Sequence, residues 1–264
     1  MIKSLIEFII SKPDFKGKYR ILRYLMFFQN NRPVRSRFGV LMLCKPMDLT
    51  NFFCLTGQKG MGYEDVYECV TDLQSGMAFI DIGANAGLFS LVAAERLKGS
   101  GPVISVEPSL STFTTLLANI GLNRSPDVFP FRLALGHETA VASFEEGTAS
   151  HSGVAHLSAT GTRKVLCVQG QQFLTIIAPL LDQRDIMIKI DVEGAEALIV
   201  TAMADFIGTP CVKTVIVEID NEYLARFGTS SSDIYAVMKH AGLEPKIGKH
   251  EGHYNEIFGR ISST

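Results

Sequence analysis

Apolar and polar positions alternate along the chain in two regimes. Up to about residue 76 the pattern is broken. Residues 1–35 read as two helices interrupted near Pro13, the second from Lys16 to Gln29 with Leu22, Leu25, Met26 and Phe28 on its apolar side. Phe38 to Cys44 and Asn51 to Leu55 read as short extended pieces, and Thr56 to Tyr63, with three glycines, reads as a loop. From Met77 the pattern becomes regular. Apolar runs at Ala78–Ile82, Val103–Glu107, Val128–Leu135, Ile186–Asp191, Thr214–Ile219 and Asn255–Ile261 predict strands. Helices are predicted at Gly87–Leu97 and Ser109–Asn119, from Ala195, and from Ser232 to Ala241. Residues 137–170 look like an irregular insertion.

Nearly continuous apolar strands alternating with amphipathic helices predict a mainly parallel sheet covered on both faces. Right-handed crossovers then favour a doubly wound, Rossmann-like α/β sheet preceded by an N-terminal helical extension. We divide the chain into residues 1–60, a covering or docking segment, and residues 61–264, the ligand-binding domain. Ligands in such folds bind beyond the carboxyl ends of the strands. Three predicted strands end there in acids, Asp81, Glu107 and Asp191, and Glu218 lies near the end of a fourth.

Gly83-Ala84-Asn85-Ala86-Gly87 joins the first of these strands to its helix. A dinucleotide fingerprint would place glycine at positions 85 and 88, where the chain has Asn85 and Leu88. That argues against a pyrophosphate and hence against a nicotinamide oxidoreductase. Asp81 points the same way: an anion repels a pyrophosphate and attracts an ammonium. Glu107, twenty residues after Gly87, is placed to accept two ribose hydroxyls. In Lys189-Ile190-Asp191-Val192-Glu193-Gly194-Ala195-Glu196 an apolar strand runs into acids. Asp191 and Glu193 could face a reacting hydroxyl, whereas Glu193 and Glu196 could equally cap the helix that follows.

Taken together, Phe79–Gly87, Val106-Glu107-Pro108, Ala134-Leu135-Gly136 and Lys189–Glu196 resemble the FkbM family of methyltransferases, in the family's order, over roughly residues 60–261. The resemblance implies a class I methyltransferase fold, S-adenosyl-L-methionine as methyl donor, and a hydroxyl acceptor on a sugar, glycan or secondary metabolite. It implies that Asp81, Gly83, Asn85 and Gly87 hold the methionine end of the donor, that Glu107 holds its ribose, that Leu135 also lies on the donor, and that Asp191 and Glu193 are catalytic. His137 stands where the family more often has an acidic or polar residue. No metal is expected, although Asp191 with Asp220 and Asn221 offers the alternative of a magnesium-assisted reaction. His151 and His156 are further candidates for the base that removes the acceptor's proton. A non-catalytic binding module of the same fold is the remaining alternative.

Composition narrows the setting. Of 264 residues 47% are hydrophobic and 20% charged, as in an ordinary globular protein. The net charge is −2, but residues 1–45 hold ten Lys/Arg against Glu7 and Asp14, a local +8. Such asymmetry either marks a contact with an anionic surface or belongs to a solvated helical face. Trp is absent, and no Asn-Pro-Pro-Tyr-type tetrapeptide follows the Ile186 strand, so a nucleic-acid partner is not expected. Five cysteines without a C-x-x-C pair, no apolar run of about 18–20 residues and no cleavage-site pattern make a cytoplasmic location the expectation.

Overall fold

The computed structural model describes residues 1–60, 62–248 and 252–260. Seven strands form the central sheet: β1 (Ala78–Ile82), β2 (Val103–Val106), β3 (Val128–Phe131), β4 (Ile186–Ile190), β5 (Val212–Asp220), β6 (Leu243–Pro245) and β7 (His253–Arg260). Their order across the sheet is β3-β2-β1-β4-β5-β7-β6. The first five are mutually parallel, and β7 runs antiparallel between β5 and β6. The chain reverses its direction of travel across the sheet between β1 and β4. This is the switch point at which a doubly wound sheet opens a crevice. The fold is the Rossmann-like α/β architecture that the patterning predicts.

Alternation along the strands divides the core into two layers. Ile80, Ile188, Val215 and Phe258 turn to one side, against Phe173, Ile177, Ile199 and Met238 of helices Gly170–Leu181, Glu196–Ala202 and Ser231–His240. Phe79, Met187, Ile216 and Ile257 turn to the other side. There they meet helices α1 (Ile2–Ser11), α2 (Lys18–Phe27), α3 (Leu49–Thr56), α4 (Tyr63–Thr71) and α5 (Leu88–Leu97). Residues 1–56 thus share one apolar core with the sheet. The α1–α2 corner is pinned by Lys18, whose fully buried ammonium donates to the carbonyls of Ile10 and Lys12 and to Asp14.

Three sequence expectations are corrected. Asn51–Leu55 is not extended but lies in α3, because Asp48 accepts a hydrogen bond from the Thr50 amide as N-cap and Gly57 closes the helix in the left-handed conformation. These end signals outweigh the strand propensity of the aromatic residues between them. The single strand predicted over Val128–Leu135 is two. β3 ends at Phe131, and Ala134–Gly136 joins a separate four-stranded sheet with Ala140–Glu145, His156–Leu157 and Arg163–Gln169. Pro130 is tolerated because β3 is an edge strand. The 137–170 insertion is therefore ordered as sheet rather than irregular. The helix Gly170–Leu181 that follows went unpredicted, its pattern being interrupted by Pro179. Ile261, placed at the end of the last predicted strand, lies outside the described residues.

Four of the five cysteines are buried, Cys211 partly so, and all are free thiols. Among the described residues no helix is long and apolar enough to cross a membrane.

Candidate active site

The parallel register fixes which side chains meet. Lys189 of β4 stands opposite Asp81 of β1, which stands opposite Ser105 of β2. All three are buried and form a polar row beneath the crevice. Ser90 of α5 joins it: Ser105 Oγ donates to Ser90 Oγ at 2.8 Å, and Ser90 Oγ to Asp81 Oδ2 at 2.6 Å. Lys189 Nζ lies 2.7 Å from Asp191 Oδ2 and 3.7 Å from Asp81 Oδ1. Burial disfavours the ammonium, but Asp191 and Asp81 outweigh it and raise its pKa. Asp81 itself is raised by burial, against the pull of Lys189 and Ser90. Its Oδ1 is a buried oxygen with no hydrogen-bond partner.

Above this row the switch-point turns approach each other. Gly83 and Ala84 donate their amides to Val106 O, and Asp191 donates its amide to Ile82 O. Gly83 has φ +81, and a Cβ there would lie 1.7 Å from the carbonyl oxygen of Asp191. Glycine is required at this position by backbone packing, whatever occupies the crevice. Asn85 also lies in the left-handed region, at φ 51. A Cβ on Gly87 would meet Leu116 of the helix Leu110–Asn123.

A cavity of about 1300 Å³ of atom-free space, its mouth included, opens over these turns. Gly83, Asn85, Glu107, Leu135, Asp191 and Glu193 all line it, as do His151 and His156 of the inserted segment. Gly87 and Asp81 do not. Gly87 caps α5 behind the turn, and the Asp81 carboxylate is turned down into the polar row. The wall is shared between distant segments: Ser152 and Gly153 donate their amides to Asp48 and Thr50 at the start of α3.

Glu107 is 6% exposed, and each of its oxygens accepts one backbone N–H, Oε1 from Ser109 at 2.8 Å and Oε2 from Asn85 at 3.0 Å. Burial pushes its pKa up to about 7, against these two donors. A carboxylate has about four acceptor positions, so two stay free for hydroxyls in the cavity.

At the other end of the cavity, carboxyl oxygens of Asp191, Glu193 and Glu218 lie within 4.8 Å of one another. Burial opposes the Asp191 charge, but Lys189 and a hydrogen bond from Glu218 hold its pKa below the usual range. Glu193, at φ 62, is pushed up to about 10 by burial and then by Glu218 and Asp191. Glu218 is raised by burial and then by Asp191, and its Oε1 is 2.7 Å from Nε2 of His253. That contact raises His253. Glu196 is the capping residue of the motif: its carboxylate accepts the amides of Val192 and Gly194. Asp220 and Asn221 are engaged elsewhere, accepting amides of Glu222 and Ser231. They do not join Asp191 in an oxygen-ligand set.

Two members of this cluster escaped the sequence reading. Lys189 sits inside the motif but looks there like any strand residue, and only the ladder opposite Asp81 gives it a role. His253 is separated from Glu218 by 35 residues, and nothing in either neighbourhood announces the pair.

A family model described as the methyltransferase FkbM domain matches residues 81–245. No curated protein matches the chain significantly. Among solved structures, the chain is similar to an FkbM methyltransferase from Methylobacillus flagellatus KT, at 12% identity and TM-score 0.48, covering 97% of this chain and 58% of that one. It is also similar to M. jannaschii TYW2 in complex with AdoMet, at 12% identity, 88% of each chain and TM-score 0.46. Aeropyrum pernix fibrillarin with natively bound S-adenosyl-L-methionine matches at 15% identity, 70% of this chain, 67% of that one and TM-score 0.43.

Proposed function

The chain belongs to the FkbM methyltransferase family, and from that premise we propose that it methylates a hydroxyl of a sugar, glycan or secondary metabolite, with S-adenosylmethionine as donor. One observation carries the reading. A single cavity has at one end a buried carboxylate with free lone pairs, Glu107, and at the other a cluster of acids anchored on Lys189.

These residues fit the donor's chemistry. Glu107 offers acceptors to a pair of ribose hydroxyls. At the far end, carboxyl oxygens of Asp191, Glu193 and Glu218 can accept hydrogen bonds from a ligand's ammonium or from an acceptor hydroxyl. Gly83, Ala84, Asn85, Ala86 and Leu135 line the same cavity. When bound, S-adenosylmethionine supplies an electrophilic methyl carbon on positively charged sulfur.

The chain's own contribution is to position the acceptor and to receive its proton. Asp191 is the ionised acid of the cluster and can accept a hydroxyl proton. Glu193, held protonated near neutral pH, can donate a hydrogen bond that orients the acceptor. Glu218 donates a hydrogen bond to Asp191, and His253 Nε2 lies 2.7 Å from Glu218 Oε1, so the pair holds the Asp191 carboxylate in place.

The test is release of S-adenosylhomocysteine over a panel of hydroxylated acceptors, with Asp191→Asn and Glu193→Gln alongside. The reading expects turnover with at least one hydroxyl acceptor, lowered about a hundredfold or more by Asp191→Asn, a loss in kcat that exceeds any loss of donor affinity. Full turnover in both folded variants would remove Asp191 and Glu193 from the chemistry.

A further inference from the structure

We propose that the outward face of α1 and α2 docks the protein on an anionic phospholipid bilayer. The proposal is independent of the methyl-transfer reading, because it rests on a different surface.

The face is defined by helical periodicity. In α2, Lys18, Leu22 and Met26 turn inward and are buried. Arg20, Ile21, Arg23, Tyr24, Phe27 and the C-cap Phe28 fall on the opposite arc, and all are exposed. Tyr24 keeps 69% of its surface in solvent and Phe27 61%. Tyr24, Phe27 and Phe28 form an edge-to-face cluster, with ring centroids 5.4 and 6.2 Å from that of Phe28. In α1, which packs beside α2, Leu5 and Phe8 are also exposed. Lys12 lies over the Phe8 ring at 4.3 Å. A folded surface rarely leaves so many large apolar side chains together without a partner.

Charge selects the partner. Both acids in residues 1–45 are already engaged. Asp14 takes Lys18 and Tyr19, and Glu7 takes the Arg35 amide and lies 3.9 Å from Lys3. Among the described residues Lys12, Lys16, Arg20, Arg23 and Arg32 have no acidic partner. A second copy would bring a like positive surface against this one, which is repulsive. A purely phosphate-binding surface would have no use for exposed Ile21, Phe27 and Phe28. Aromatic residues that sit at the headgroup level, interleaved with cations that reach anionic headgroups, match an interfacial helix lying in the plane of a membrane. The Lys18 bonds at the α1–α2 corner hold the two helices together as one rigid surface.

The experiment is co-sedimentation of the full chain with phosphatidylcholine–phosphatidylglycerol vesicles, and with pure phosphatidylcholine, at low and high salt. Arg20→Glu with Arg23→Glu is one variant, and Phe27→Ser with Phe28→Ser the other. All four sites are exposed, and circular dichroism checks the fold. Each cation is worth about fivefold in partition, so the charge variant should lose more than about tenfold and the aromatic variant should also lose binding. Wild type should bind the anionic vesicles, prefer them to pure phosphatidylcholine, and release them in salt. Absence of binding, equal binding to both vesicles, or binding unchanged in both variants would overturn the proposal. So would a dimer in sedimentation that the aromatic variant disperses without any vesicle binding, or tighter capture of single-stranded RNA than of the anionic vesicles.

Discussion

Replacing Lys189 by methionine isolates the electrostatic element on which the site is built. The side chain keeps most of its length and its packing beside Phe89, but Asp191 and Asp81 lose the ammonium 2.7 and 3.7 Å away. Removing one partner from a buried ion pair costs about 3–5 kcal/mol. Asp191, with 29% of its side chain exposed, recovers part of its hydration, whereas Asp81, at 1%, recovers almost none. The loss should therefore fall near the lower bound, about 3 kcal/mol at pH 7, and should be carried chiefly by Asp81. The pH dependence gives a second reading. In the wild type the raised Lys189 keeps its contribution until the pH climbs through its folded pKa, and the lowered Asp191 keeps its own until the pH falls through its folded pKa. Both contributions are complete at neutral pH. In the variant both carboxyls are raised, so the folded chain binds protons that the unfolded chain has released, and stability falls as pH rises from about 4. Urea melts of both proteins at pH 7 and near pH 5 measure the difference. The gap should be larger at pH 7. A gap under about 1 kcal/mol, or one that does not change with pH, would show that the ion pair does not organise the site.

Other consequences follow from the same geometry. Gly83→Ala combines a left-handed residue with a Cβ 1.7 Å from Asp191 O; it should cost about 2–5 kcal/mol in thermal unfolding. Gly228→Ala, at φ +68 but in open space, should cost only about 1–2. Glu107→Gln should weaken donor binding about 10–100-fold by calorimetry, the scale of one hydrogen bond to a charged group. Because burial holds Glu107 at about 7, wild-type donor affinity should fall as the pH drops through that value and the Gln variant should lose the dependence. Chelator should leave turnover unchanged, since Lys189 already supplies the cation beside Asp191; inhibition restored by magnesium would instead assign a metal to Asp191, Glu193 and Glu218.

The sequence and the structure agree where local and global signals coincide. Buried parallel strands such as Ile186–Ile190, apolar at every position but Lys189, are flanked by helices, so their existence, direction and sheet are legible before any coordinates. Glu107 lines the cavity because the end of β2 leads directly into the crevice, a position its sequence neighbourhood makes legible. Asp81 shows the limit. Its position in the turn motif is visible, but its side chain points down, because the alternation of β1 puts residues 79 and 81 on the same side of the sheet. The Glu218–His253 contact depends on antiparallel pairing between β5 and β7, where Asp220 stands opposite His253, and no local spacing encodes that register. The aromatic run of α3 reads as extended because the helix's signals are two end residues, Asp48 and Gly57, rather than a periodic face.

Calorimetric titration of the full chain with S-adenosylmethionine and S-adenosylhomocysteine, with NAD as control, tests the central claim most directly. The account predicts saturable binding of the first two, lost in Glu107→Ala, and none of NAD. Binding of NAD in their place, or no binding of any of the three by the folded protein, would contradict it.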